Sequence, residues 1–300
     1  RHCNVSQSPR FAVPAVRVSA TPGLVWPALP RPPASDILAL LYQLNRSEWW
    51  PEDRLRRAQF EQIELLLDHA RRTVPFYRTD VAYDVLDSDE ALSAETWAKV
   101  PILTRGQIQV SGAELHSEAP PASHGGLIPV KTSGSTGMPL KSMKTELTGR
   151  FYEAAMLREA IRHRRDWSKR FAAIKPTISA SLDPGGEQFD DWGEPFSPFF
   201  ATGPVFAFNI FADPAEQIRW LRETKPDCIL SMPSNTQALA RHALAHGLAM
   251  PPMLEVRSYG EAYEDDLPRL CREVWGAKHT SIYSSEEIGV IASQCSEHGR

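Results

Sequence analysis

The chain lacks any run of about 18 apolar residues, the length a membrane-spanning helix needs, so no span is expected. It is poor in cysteine: Cys3, Cys228, Cys271 and Cys295 are scattered over 300 residues without framework spacing. That argues against a disulfide scaffold and for reduced thiols in a cytoplasmic protein. A dominant charge sign is missing too, since 33 Lys and Arg against 37 Asp and Glu leave a formal net charge of −4. Neither nucleic acid nor an anionic membrane has a global electrostatic reason to bind. There is no internal repeat, and no Gly-x-x-x-x-Gly-Lys-Ser/Thr loop of the P-loop NTPases.

Acidic residues are absent from residues 1–35, which carry Arg1, Arg10, Arg17 and Arg31 and prolines at 9, 14, 22, 27, 30, 32 and 33. This Pro/Arg-rich lead cannot bury enough apolar surface to offset its ordering entropy and is expected to be disordered or surface-wrapping. Its prolines also oppose the amphipathic helix of a transit peptide.

Beyond the lead, apolar residues at helical spacing predict a helix from Asp36 through Leu44 and a longer one from Pro51, ending before Pro75. From about residue 120 the texture becomes α/β. Strands are predicted over Leu127–Lys131, Phe171–Lys175, Val205–Phe211, Cys228–Met232, Glu255–Ser258 and His279–Tyr283. Helices are predicted over Glu146–Arg165, from Pro214 with Asp213 as N-cap, over Ser234–His246 with Ser234 as cap, and over Glu264–Trp275. The alternation implies an α/β fold with parallel or mixed sheets flanked by helices, and a helical segment over 36–110 ahead of an α/β part over 120–300. Arg158, Arg162, Arg164 and Arg165 read as a solvated helix face. Phe189, Trp192, Phe196, Phe199, Phe200, Phe206 and Phe208 read as packing, with a weaker option that one face lines an aryl pocket.

The most informative stretch is Thr132-Ser133-Gly134-Ser135-Thr136-Gly137-Met138-Pro139-Leu140-Lys141. Its glycines let backbone N–H groups curl around an anion, its hydroxyls add donors, and Lys141 adds a point charge suited to polyphosphate. Ser258-Tyr259-Gly260-Glu261 permits close backbone approach to a flat ligand. Tyr283-Ser284-Ser285-Glu286-Glu287 offers an aromatic face for adenine and a carboxylate for Mg²⁺, which accepts one or two carboxylates plus phosphate oxygens. Each has a plain alternative: a turn, a core aromatic, a solvated helix start. All three are expected to leave the carboxyl ends of parallel strands, where ligands of open α/β sheets bind.

Residues 132–141 resemble the phosphate loop of the adenylate-forming enzymes. Leu66–Arg78 (LLDHARRTVPFYR), Val100–Arg105 (VPILTR), Lys225–Ser234 (KPDCILSMPS), Ser258–Glu261 and Tyr283–Gly289 follow in an order that resembles the phenylacetate–CoA ligase branch, over roughly 36–300. The resemblance implies the large N-terminal domain of such a ligase. It also implies ATP-dependent activation of a carboxylic acid, aryl or medium acyl, to an acyl-adenylate, and transfer to a thiol.

Coenzyme A is the favoured thiol, with a carrier-protein phosphopantetheine as the alternative acceptor, and a homodimer is left open. A catalytically silent nucleotide-binding module is the rival reading. By the same resemblance, Thr132, Ser133, Gly134, Ser135, Thr136, Gly137 and Lys141 hold phosphates. Ser258, Tyr259, Gly260 and Glu261 flank the adenine of ATP or AMP, Tyr283 stacks on it, and Ser284, Ser285 and Glu286 complete the motif. Glu287 takes Mg²⁺ when counted from Tyr283, although a Ser-Glu count would select Glu286.

The family's ribose-binding aspartate, hinge and C-terminal lid domain with its lysine find no counterpart in 1–300, so weak adenylation is expected. Cys295-x-x-His298 could be half of a Zn²⁺ site, its further ligands lying beyond Arg300 or coming from Cys271 or Cys228. A core cysteine beside an exposed histidine is the favoured reading.

Overall fold

A computed structural model describes residues 21–24, 27–80, 83, 92–131, 139–176 and 185–297. They form two compact units. One holds residues 39–152 and 286–289; the other holds the described residues of 1–38, 153–285 and 290–300.

In the first unit, α1 (Ala34–Ser47, shared with the second unit) and α2 (Glu52–Thr73) carry the two predicted helical patterns. They line an open cavity of about 1100 Å³ walled partly by Leu40, Leu44, Phe60 and Ile63. α2 stops at Val74 because Pro75 opens α3 (Pro75–Thr79). α4 (Ala94–Trp97) and α5 (Arg105–Ser111) follow. Two of the family-like motifs act here as folding signals. Thr104 and Gln107 close a capping box at the start of α5: the Gln107 N–H donates to Thr104 Oγ1 at 3.3 Å and the Thr104 N–H to Gln107 Oε1 at 2.8 Å. Within 66–78, Thr73 Oγ1 accepts from Ser117 Oγ at 2.9 Å, and Arg78 pairs with Glu118 at 2.9 Å.

β1 (Leu127–Lys131) matches its predicted span, but its pairing corrects the expectation that it belongs to the parallel sheet. It forms a separate two-stranded antiparallel ribbon with β2 (Lys141–Thr145), in which Lys131 lies opposite Lys141. α6 begins at Glu146 as predicted and ends at Arg162, three residues early.

The second unit is built on a sheet of β3 (Phe171–Lys175), β4 (Glu187–Phe189), β5 (Val205–Asn209), β6 (Cys228–Ser231), β7 (Glu255–Tyr259), β8 (Lys278–Ser285) and β9 (Gly289–Ser293). Its order is β4-β5-β3-β6-β7-β8-β9. The strands β5, β3, β6, β7 and β8 are mutually parallel, and β4 is antiparallel to β5. β9 follows β8 after three residues, too few for a parallel crossover, so the two form a hairpin.

α7 (Pro214–Thr224), α8 (Pro233–Ala245) and α9 (Leu267–Trp275) supply the crossovers. α9 buries Leu267, Leu270, Cys271 and Trp275, one stripe at helical spacing. With Ile218, Leu221 and Leu239 these residues pack on Ala172, Ile174, Phe206, Phe208, Ile229 and Val256 to form the core. Asp213 caps α7 as predicted, accepting from the Ala215 N–H at 2.8 Å. Ser234 does not cap α8. Pro233 takes the first helical position and moves the cap to Met232.

Most of the aromatic stretch resolves as packing: Phe206 and Phe208 lie in the core, whereas Phe189 is half exposed. Trp167 stacks on Phe200 at 4.3 Å, Trp192 meets Phe196 at 5.8 Å, and Phe171 ties the cluster to the amino end of β3. These rings therefore lie at the opposite end of that strand from the carboxyl edge, where an acid pocket is expected.

Candidate functional site

The carboxyl ends of the parallel strands β3, β5, β6, β7 and β8 form one edge of the sheet. β7 and β8 place Ser258–Glu261 and Tyr283 next to each other, because Tyr259 is in register with Ile282 and parallel strands run about 4.8 Å apart. Gly260 holds φ +80°, a region side chains avoid, and a Cβ there would meet only Met232 Cε at 3.6 Å. The glycine is required by the turn rather than by crowding. Tyr283 is 66% exposed, a large ring presented to solvent from a strand end.

Glu261 has a role the sequence did not show. Its Oε2 accepts the backbone N–H of Ser234 at 3.1 Å, binding the 258–261 turn to the first turn of α8. A carboxylate there satisfies an orphan donor and faces the positive end of the helix dipole. This carboxylate is thus occupied in positioning the turn. Beneath it, Ser258 Oγ shares a 3.0 Å hydrogen bond with His279 Nε2. Burial lowers the His279 pKa to about 4, only partly opposed by Glu255, so the ring is neutral at pH 7.

A buried ionic network anchors β7 from below. Arg165 donates through Nε and Nη2 to both Glu255 oxygens at 2.7 and 2.8 Å, and also through Nη2 to Glu159 at 2.6 Å. Arg257 donates to Glu159 at 2.7 Å, and Thr280 Oγ1 to Glu255 at 2.6 Å. Burial alone would raise the Glu255 pKa. The hydrogen bonds and charge of Arg165, with Thr280, outweigh it and hold the carboxyl at about 2. Arg165 is thereby corrected from a solvated helix face to a buried partner of two acids. The helix ends at Arg162, and Arg164, at φ +50°, turns the chain inward.

Tyr283, Ser284 and Ser285 lie in β8, with both serines partly buried. Glu286, Glu287 and Ile288 form the hairpin turn, which corrects the alternative of a helix start. Glu286 points to Lys144, 3.9 Å away, whereas Glu287 is exposed and makes no ion pair among the described residues. Gly289 closes the turn at φ +86°, with Tyr152 Cδ2 3.0 Å from where a Cβ would stand.

Lys141 is exposed at the start of β2, while Thr132, Ser133, Gly134, Ser135, Thr136 and Gly137 lie outside the described residues. His298 does so too. Cys228 and Cys271 are buried in the second unit, and burial pushes each thiol up to about 12. Among the described residues no three His, Cys, Asp or Glu side chains converge as a metal site.

No protein-family model matches the chain, and no curated protein does. Solved structures do. The chain superposes on 2-hydroxyisobutyryl-CoA ligase in complex with 2-HIB-AMP and CoA in the thioesterification state, with TM-score 0.63 and 18% identity over 85% of this chain and 54% of that one. The open conformation of the same ligase gives TM-score 0.59 and 18% identity over 85% and 60%. Its postadenylation state with 2-HIB-AMP gives 0.59 and 18% over 85% and 54%. The chain therefore has the fold of this ligase over little more than half of the ligase's length.

Proposed function

We propose that this chain, which shares the fold of an acyl-CoA ligase over part of that ligase's length, forms the nucleotide- and acid-binding part of an adenylate-forming enzyme. The observation that carries the reading is the adjacency of the Gly260 turn and the exposed Tyr283 ring at the carboxyl edge of the parallel sheet. A purine sits between an aromatic face and a backbone free of side chain, with Tyr259 beside it and the buried Ser258 supporting the turn from below. Thr132–Gly137 and Lys141 supply donors and charge for the phosphates, and Glu287 a ligand for nucleotide-borne magnesium.

In the reaction, an oxygen of the substrate carboxylate attacks the α-phosphorus of ATP. The bond to the β-phosphate oxygen breaks and pyrophosphate leaves. Two anions must meet in line, so neutralising donors matter more than a protein acid or base. A thiol sulfur then attacks the acyl carbon, the acyl–phosphate bond breaks and AMP leaves; coenzyme A is favoured because the superposed ligase structures hold CoA. The order of the motifs from Leu66 to Gly289 supports the phenylacetate–CoA ligase-like branch. The scattered cysteines favour a cytoplasmic location, and among the described residues no helix is long and apolar enough to cross a membrane.

Carboxylate-dependent exchange of labelled pyrophosphate into ATP, screened over a panel of acids, tests the reading. Stimulation by at least one acid supports it. AMP binding without any acid-dependent exchange would leave a nucleotide-binding module, and absence of both would overturn the reading.

A further inference from the structure

We infer that Lys175 binds an oxyanion of the reactants, a use of this residue that its sequence context does not suggest. The inference rests on the proposed adenylate-forming reading and assigns a residue to it. Lys175 ends β3, which lies between β5 and β6. The chain leaves β3 toward β5 on one side and returns to β6 on the other, so the winding reverses there. In open α/β sheets the carboxyl end of the strands at such a switch point is the ligand crevice.

The lysine is exposed, and its Nζ lies 6.0 Å from the centre of the Tyr259 ring, next to the Gly260 turn. It thus reaches from the switch point toward the proposed adenine site.

Charge accounting points the same way. The buried network below pairs two guanidinium groups, Arg165 and Arg257, with two carboxylates, Glu159 and Glu255. Lys175 is left over, and no carboxylate among the described residues pairs with it. Crowding by protein, and then the charge of Arg257, lower its pKa. An exposed cation at a ligand crevice, with no carboxylate among the described residues paired to it, gains when an anion arrives. The reaction supplies two, the acid's carboxylate and the nucleotide's α-phosphate.

The test is calorimetric titration of the wild-type chain, Lys175→Met and Lys175→Arg with adenosine, AMP and, in the presence of AMP, phenylacetate. The neutral variant should bind adenosine as the wild type does. It should lose roughly 10- to 100-fold for one oxyanion-bearing probe, the scale of a charge-assisted hydrogen bond, and Lys175→Arg should recover most of it. Loss confined to AMP identifies the phosphate as the partner, and loss confined to phenylacetate identifies the carboxylate. A Lys175→Met variant equal to wild type for every probe overturns the inference alone. A wild-type chain that binds neither adenosine nor AMP overturns the underlying reading and the inference with it.

Discussion

At the scale of single residues, the site depends on two side chains whose importance arises from distant partners. Glu255 contacts Arg165 across 90 positions of sequence and Arg165 in turn meets Glu159, so no local pattern announces the network. Periodicity placed Arg165 on a wet helix face because the helix was extended three residues too far. Removing one member of a buried ion network leaves an uncompensated charge, which costs about 3–5 kcal/mol. Glu255→Ala is therefore expected to lower the denaturant midpoint steeply. Gly260→Val should cost roughly 1–2 kcal/mol, because a β-branched residue is forced to φ +80°. The same denaturation series measures both, and an unchanged midpoint in either variant would contradict its assignment.

At the scale of elements, most of the fold was legible. Asp213-Pro214, Pro75 and the stripe of α9 are local signals, and the structure follows them. What sequence could not give was pairing. Leu127–Lys131 reads as a strand wherever it pairs, and only the structure shows its antiparallel partner Lys141–Thr145. The strand Gly289–Ser293 was missed because Glu286-Glu287 looks like the acidic first turn of a helix. Gly260 and Tyr283 were legible as candidate site residues, since a glycine turn and a strand-end aromatic carry their own signal. Lys175 was not, because its position at the switch point is a property of strand order.

Glu261 belongs at this scale as well, since it ties a loop to a helix. Glu261→Ala should cost about 0.5–2 kcal/mol, the usual range for a lost helix N-terminal acceptor. It should also loosen the 258–261 turn, read as faster amide exchange at Ser234 and Gly260. Exchange equal to wild type at both amides would reject that role.

At the scale of the whole molecule, the depressed pKa values set an acid limit. His279 takes up a proton near pH 6.5 when unfolded but only near 4 when folded, so the unfolded state binds more protons between these values. Stability is full above pH 6.5 and is lost as pH falls toward 4. Glu255 adds a second loss of the same sign between about 4.5 and 2. Denaturant midpoints measured from pH 7.5 to 3.5 should therefore decline, and His279→Gln, which keeps a donor for Ser258, should flatten the upper part of the decline. A wild-type profile level from 6.5 to 4 would contradict the burial of that ring.

The adjacency of the Gly260 turn and Tyr283 matters only if a nucleotide binds there. Titration of AMP into the wild-type chain and into Tyr283→Ala, followed by calorimetry, asks this directly. Binding by the wild type, weakened in the variant by about 1–3 kcal/mol as expected for loss of base–aromatic stacking, is the predicted result. No heat with the wild type, or equal affinity in the two proteins, would contradict it.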